Sequence, residues 1–415
     1  MTDRTLRRRA HARASWPALL LCLFVMSLAV PGAARFGLFA LAAAALFAGV
    51  GPASAASSGR RDGLNLALVA FLSASGASIA MAGDLGRAVD SSLVLLPAAL
   101  FYYLARYRCA WRHLRWIGCS FTLAALLLGC IALAVAWSET DPDPSHLMSR
   151  MPLAYFSVPN DLTLIALCVP LAIAGLSWLP ARWRVWPMIV LLLPGIVAIV
   201  VYRSNAALLA LAIALAAMAL LTRNLRMGAA LASLLAGVLV VDGLTGFALL
   251  GKFAQLTVWA NRLPLWQAAW HMFLDAPLLG QGPGGFSVMY DTYASTGDLP
   301  PWVHLDPRHA PWAHSLYLEL LAERGLLGLL AALAAFAAAA RILWSAGFAT
   351  GSSGIWRAAL LAALLAYLSV GAFDTSLLRL WNLVFLSYLL ASTGRLRDEA
   401  ADEPQRIARG PLPIP

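Results

Sequence analysis

The chain has 415 residues, of which 61% are apolar and 12% charged, with a formal net charge of +10. Soluble domains are about 45–50% apolar and about 25% charged, so this composition excludes an ordinary soluble fold. The positive charge does not point to nucleic acid, because most arginines flank apolar runs, where they act as orientation signals.

The apolar runs are roughly 17–25 residues long, the length that crosses a bilayer's hydrocarbon core. They do not alternate apolar and polar residues as the strands of a membrane barrel do. The sequence therefore predicts an all-α integral membrane protein. Segments are expected near 16–33, 36–51, 64–82, 91–105, 116–137, 160–179, 185–201, 206–221, 228–250, 314–340, 357–373 and 380–393. This gives about twelve transmembrane helices in a single polytopic domain over 1–393. The first run follows a basic stretch and ends in Pro31-Gly32-Ala33-Ala34, much as a cleaved signal peptide would. The second run follows almost at once, which favours an uncleaved first helix. Beyond 393 the tail 394–415 is charged and contains proline, and it is expected to be cytoplasmic and disordered.

Charge fixes the predicted orientation. With both termini cytoplasmic, the inner connections hold 21 of the 30 basic residues, from Arg4 to Arg409. Every inner connection then carries arginine, while the outer ones hold acidic residues such as Glu139, Asp143, Asp275 and Asp298. Two outer loops stand out, about 138–159 and a large one, 251–313. A loop as long as the second is usually functional rather than a spacer. It carries Trp259, Trp266, Trp270, Trp302 and Trp312, residues suited to the headgroup layer.

Chemistry-bearing residues gather on that outer side. Arg203 sits in a very short turn between two apolar runs, either as a snorkelling surface cation or aimed into the bundle. Arg262 precedes Pro264 and a stretch expected to lie flat on the membrane. By itself it reads more readily as a headgroup contact than as a reacting group. The run Gly280-Gln-Gly282-Pro-Gly284-Gly285 reads as a backbone anion nest or as a plain tight turn, and it lacks the Lys-Ser/Thr of a nucleotide loop. His314 lies at the mouth of an apolar helix, where the helix dipole favours the neutral imidazole. Alone it reads more simply as an interfacial histidine. Glu319 and Glu323 follow on one helical face, with Arg324 as an expected structural partner.

His146, His271, His304 and His309 show no zinc-protease spacing, and no carboxylate pair is placed for glycoside hydrolysis. Asp141-Pro-Asp143 is the nearest metal candidate and a poor one, so neither metal nor cofactor is expected. The five cysteines, Cys22, Cys109, Cys119, Cys130 and Cys168, have no framework spacing and read as packing residues.

His314-Ser315, nine residues, then Gly325 and Gly328 resembles the signature of the O-antigen ligase and polymerase superfamily. The run Arg262, Trp266, Ala269, Pro277-Leu-Leu-Gly280, Gly282, Gly284, Phe286 precedes it at the family's usual kind of distance. Arg203 occupies the place of the family's arginine in a short outer turn. The sequence-level likeness lies mainly in 200–205 and 260–330. It departs from some members at Tyr202, where a small residue often precedes the arginine.

The resemblance implies a membrane-embedded, metal-independent glycosyltransferase of GT-C-like architecture in the bacterial inner membrane, with a periplasmic active site. It implies a glycan donor on undecaprenyl diphosphate and lipid A–core as acceptor, most like an O-antigen ligase. A polymerase passing the glycan to another repeat unit is the alternative. A lipid-linked sugar transporter is the non-enzyme rival, though such proteins favour broken helices around a mid-membrane site. By the same resemblance Arg203 and Arg262 hold the donor diphosphate and His314 serves the acceptor. Gly282, Gly284, Ser315, Glu319, Gly325 and Gly328 are possible supporting residues. Arg203, Arg262 and His314 are expected to share one outer cleft within about 10–15 Å, room for a diphosphate and a sugar.

Overall fold

The computed structural model describes residues 3–50, 62–140, 143–153, 156, 159–244, 262–294, 312–348, 351–374 and 379–408. Among them the chain is helical throughout and holds no strand. The protein is an all-α, multi-pass membrane protein. Seven helices are long and apolar enough to cross a bilayer: Gly63–Met81, Leu85–Arg108, Trp111–Ser138, Arg182–Val201, Asn205–Thr222, Leu316–Ser345 and Ser352–Gly371. Shorter apolar helices, Ser15–Leu28, Ala34–Ala48 and Pro159–Gly175, pack among them.

In chain order the helices that position the site are α1 (Asp3–Leu28), α2 (Ala34–Val50), α3 (Gly63–Ser78), α4 (Leu85–Leu93), α5 (Leu95–Arg108), α6 (Trp111–Ser138), α7 (Pro144–Ser149), α8 (Thr163–Gly175), α9 (Ala181–Val201), α10 (Asn205–Thr222) and α11 (Leu225–Leu244). Then come α12 (Leu263–Asp275), α13 (Gly285–Ala294), α14 (Leu316–Ser345), α15 (Ser352–Gly371) and α16 (Leu380–Ala408). Helix α3 packs on α14, α10 on α15 and α8, and α16 on α5. Alanine lines many of these seams (Ala207, Ala210, Ala214, Ala358, Ala359, Ala362 and Ala366 are all buried), which lets helix backbones approach closely.

Polar caps mark where several helices begin. Asp62, Asp84, Ser204 and Ser315 accept from the first-turn amides of α3, α4, α10 and α14.

The tail expected to be disordered from 394 departs from that reading: α16 continues as helix through Ala408. Charge pairing accounts for it. Arg106 on α5 is 2% exposed and pairs with Asp398 and Asp62, and Arg397 reaches Asp62 at 2.8 Å. Glu399 accepts the Trp111 amide at 3.0 Å. Composition alone did not reveal that a buried arginine waited for these carboxylates.

Helix α14 is not continuous. Gly325 has φ 62 and ψ −165, which breaks the helix inside a candidate span. A break there strands amides and carbonyls that lipid cannot satisfy. The segment after α12 fills the gap. The amides of Leu326 and Leu327 donate to the carbonyls of Pro277 and Leu278, and the Gln281 amide donates to Ala322. Ser78 on α3 donates to the Glu323 carbonyl at 2.7 Å.

Candidate functional site

The connections at the end of the bundle away from the Arg106 cluster come together as one polar surface. Arg87 on α4 reaches Ser287 on α13 at 3.4 Å, and Ser204 meets Asn160 at 3.5 Å. His314 lies in one of these connections. Its backbone is left-handed (φ 49), a conformation that histidine tolerates better than most side chains. The turn is followed immediately by the Ser315 cap of α14, so the imidazole is fixed at the mouth of the helix.

Asp374, in the connection leaving α15, faces that imidazole. Its Oδ1 lies 3.0 Å from His314 Nδ1, and its side chain is 6% exposed. The indole Nε1 of Trp312 lies 3.2 Å from the same ring nitrogen. Nδ1 cannot donate to one and accept from the other at once. An ionised carboxylate only accepts, so Nδ1–H directed at Asp374 is the arrangement that satisfies the buried acid. In the neutral ring that tautomer puts the free lone pair on Nε2, the nitrogen that could take a proton.

Arg262 comes to the same spot by another route. It sits at the start of α12, half-buried, and its Nη1 donates to the carbonyl of Phe373, the residue before Asp374. Burial pulls this guanidinium below its usual range, and nearby Asp374 opposes the shift. Arg262 and His314 are thus gathered around one two-residue stretch, Phe373-Asp374.

Among the described residues, Arg203 makes no hydrogen bond or ion pair with Arg262 or His314. It is exposed, in a left-handed turn (φ 50) between α9 and α10. Tyr202 before it is buried and donates to the Ala132 carbonyl at 2.9 Å, which pins the turn. A chain of contacts links this turn to the histidine. Ser204 meets Asn160, the next residue Asp161 pairs with Arg379 at 3.4 Å, and Arg379 lies 4.6 Å over the ring of Trp312.

The glycines divide from the charged residues. An added Cβ at Gly280 would stand 2.4 Å from the Glu323 carbonyl carbon, and at Gly325 2.4 Å from Leu278 backbone. Gly282 abuts Ala82, and Gly284 abuts Ser91. The amides of Gly280, Gln281 and Gly285 are spent on protein carbonyls. The run 280–285 is thus a closely packed turn in which three of the five amides are turned to protein carbonyls. Gly328 sits against Arg324. Glu323 and Arg324 form a buried pair at 2.8 Å, in keeping with a structural role, and Glu319 is fully buried one turn below the histidine.

Sequence reasoning missed Asp374, Arg379 and Asp161. The available signal for Asp374 and Arg379 was their position in a connection on the same side as His314, whereas Asp161 fell inside the segment expected at 160–179.

Residues 190–333 match the model of the O-antigen ligase family. That match supports assignment to the O-antigen ligase and polymerase superfamily. The matched stretch contains Arg203, Arg262 and His314, and it ends before Asp374 and Arg379. No curated protein matches the chain in sequence. Much of the loop 251–313, including Trp259, His304 and His309, lies outside the described residues, as does Asp141.

Proposed function

We propose that the protein transfers a glycan from undecaprenyl diphosphate to lipid A–core oligosaccharide at the periplasmic face of the bacterial inner membrane. The observation that carries this reading is the His314–Asp374 pair beside Arg262. His314 Nε2 takes the proton of the acceptor hydroxyl, and Asp374 holds the ring and balances the imidazolium that forms. The acceptor oxygen then bonds to the anomeric carbon as the bond from that carbon to the diphosphate oxygen breaks. The departing diphosphate keeps the electron pair. Arg262 and Arg203 meet its growing charge with forked, charge-assisted hydrogen bonds, so that fixed cations do the work a metal ion does elsewhere.

The single domain 1–393 carries the site, both termini are cytoplasmic, and the loop 251–313 faces the periplasm. In the polymerase version the same groups act on a second lipid-linked repeat unit. A transfer assay with purified lipid-linked donor tests the reading. Glycan joined to lipid A–core marks the ligase, lengthening of the donor glycan without core marks the polymerase, and donor movement with no new bond refutes both.

A further inference from the structure

Two groups of opposite kind face the same nitrogen of His314. Asp374 Oδ1 lies 3.0 Å from Nδ1, and the Trp312 indole Nε1 lies 3.2 Å from it. A carboxylate only accepts and an indole N–H only donates, so the two call for different tautomers. With its hydrogen on Nδ1 the neutral ring donates to Asp374 and has its lone pair on Nε2. With Nδ1 bare the ring accepts from Trp312, and Nε2 carries the hydrogen and can take no other. The placement of one indole N–H therefore bears on whether Nε2 can act as a base.

Trp312 is 8% exposed, and its ring centroid lies 5.0 Å from that of the imidazole, the planes tilted by 49°. The guanidinium of Arg379, the residue before α16, lies 4.6 Å over the indole. At that distance the ring's quadrupole attracts the cation, so each fixes the other. Arg379 is held in turn. Its Nη1 lies 3.4 Å from Asp161 Oδ2, and the other oxygen of Asp161 accepts from the Trp381 indole at 3.3 Å. Trp381 stacks on Phe156 with centroids 5.9 Å apart, and both rings are buried. Through Arg379 the indole beside the histidine is thus tied to the core of the bundle.

We propose that Arg379 is a positioning residue for His314: it holds the Trp312 indole where Asp374 keeps Nδ1–H and Nε2 stays free. The inference rests on the role given above to His314 as base. Arg379 acts through Trp312, and its own charge is met by Asp161. The contact needs a flat guanidinium. A lysine keeps a charge for Asp161 but loses the stack.

The first measurement asks whether Arg379 matters only while residue 312 has an N–H. Arg379→Lys is expected to lower kcat about tenfold and to leave the donor KM within about twofold. Trp312→Phe keeps a ring without the N–H and should retain most of the transfer. In the Trp312→Phe background Arg379→Lys should then cost less than about twofold. An equal loss in both backgrounds marks ordinary structural support and overturns the inference. So does a raised donor KM in both, which would mark a direct contact with the diphosphate.

The second measurement needs no turnover. Nitrogen NMR on the whole protein in nanodiscs, with isotope-labelled histidine and His314→Ala to assign the signal, reads the tautomer of the neutral ring. The unaltered protein should show Nδ1–H, and Arg379→Lys should move the ring toward Nε2–H. An Nε2–H ring in the unaltered protein overturns the inference, as does a tautomer that the substitution leaves unchanged. Where the lysine variant fails to fold, Asp161→Asn, of the same shape, frees Arg379 from its anchor and takes its place in both measurements. If the tautomer moves as expected in a protein that transfers no glycan, the proposed reaction is at fault and the role of Arg379 stands.

Discussion

Arg106 and Arg397 at one end of the bundle, and Arg262 and Arg203 at the other, are met in different ways. At the end holding α16's extension, Arg106 and Arg397 are each met by carboxylates, from Asp62 and Asp398. At the other end Arg262 is met by a backbone carbonyl, and exposed Arg203 has no ion-pair or hydrogen-bond partner among the described residues. A guanidinium offers five donors and does not lose its charge. Arg106 and Arg397 at the first end tie helices together through carboxylates, and at the second Arg379 does the same with Asp161, whereas Arg262 and Arg203 face no carboxylate within ion-pair distance among the described residues. The difference teaches that charge count is a poor guide to function in such a chain, and that unmet donor capacity beside a polarised histidine is a better one.

The largest expected effect breaks the second end. His314→Ala should reduce glycan transfer by about 10²–10⁴-fold, the usual range for a lost general base. Arg262→Ala should leave the protein inserted and lower the rate by about 10²–10³-fold, as for loss of one preorganised contact to developing charge. Normal transfer by that variant would remove the diphosphate role. Asp374→Asn keeps the shape but no longer requires Nδ1–H. It should lower kcat about tenfold or more with little change in donor KM, measured by steady-state transfer.

Backbone comes next. Gly325→Ala places a strained left-handed residue against Leu278 backbone, and thermal melting should show a loss of about 1–3 kcal/mol or more. Gly347 has a similar φ of 69 with open space around it, so Gly347→Ala should cost only the strain. Equal losses at the two positions would show that the docking of 277–281 contributes nothing.

The smallest effect belongs to the first end. Burial works against the Asp62 carboxylate, but Arg397 and Arg106 outweigh it and hold its carboxyl below the ordinary 3.8. The folded protein therefore binds that proton more weakly than the unfolded chain. Its contribution is complete at neutral pH and fades as pH falls below the ordinary aspartate range. Asp62→Asn should flatten the acid limb of a stability–pH curve and leave transfer at neutral pH intact.

Much of the fold was legible because bilayer thickness and the positive-inside rule act directly on composition. The helices and their grouping into two chemically distinct ends follow from apolar run length and arginine placement. Arg203, Arg262 and His314 each read alone as readily as a surface or interfacial residue, and only the family resemblance drew them together as a site. What the sequence hid was set by three-dimensional pairing. Asp374 is one carboxylate among many until α15 delivers it to the imidazole. Gly325 reads as part of an uninterrupted apolar helix until another segment's backbone is seen lodged against it. The helical tail past 393 was hidden because Asp398 and Arg397 find their partners in Arg106 and Asp62, almost 300 residues or more earlier.

The bridged gap at Gly325 also bears on how the molecule is made. Residues 277–281 leave the ribosome before 322–327, and neither stretch has its full set of amide partners until the other arrives. The turns of α14 on either side of Gly325 thus gain their full set of backbone partners only when the turn after α12 docks onto a helix synthesised after it.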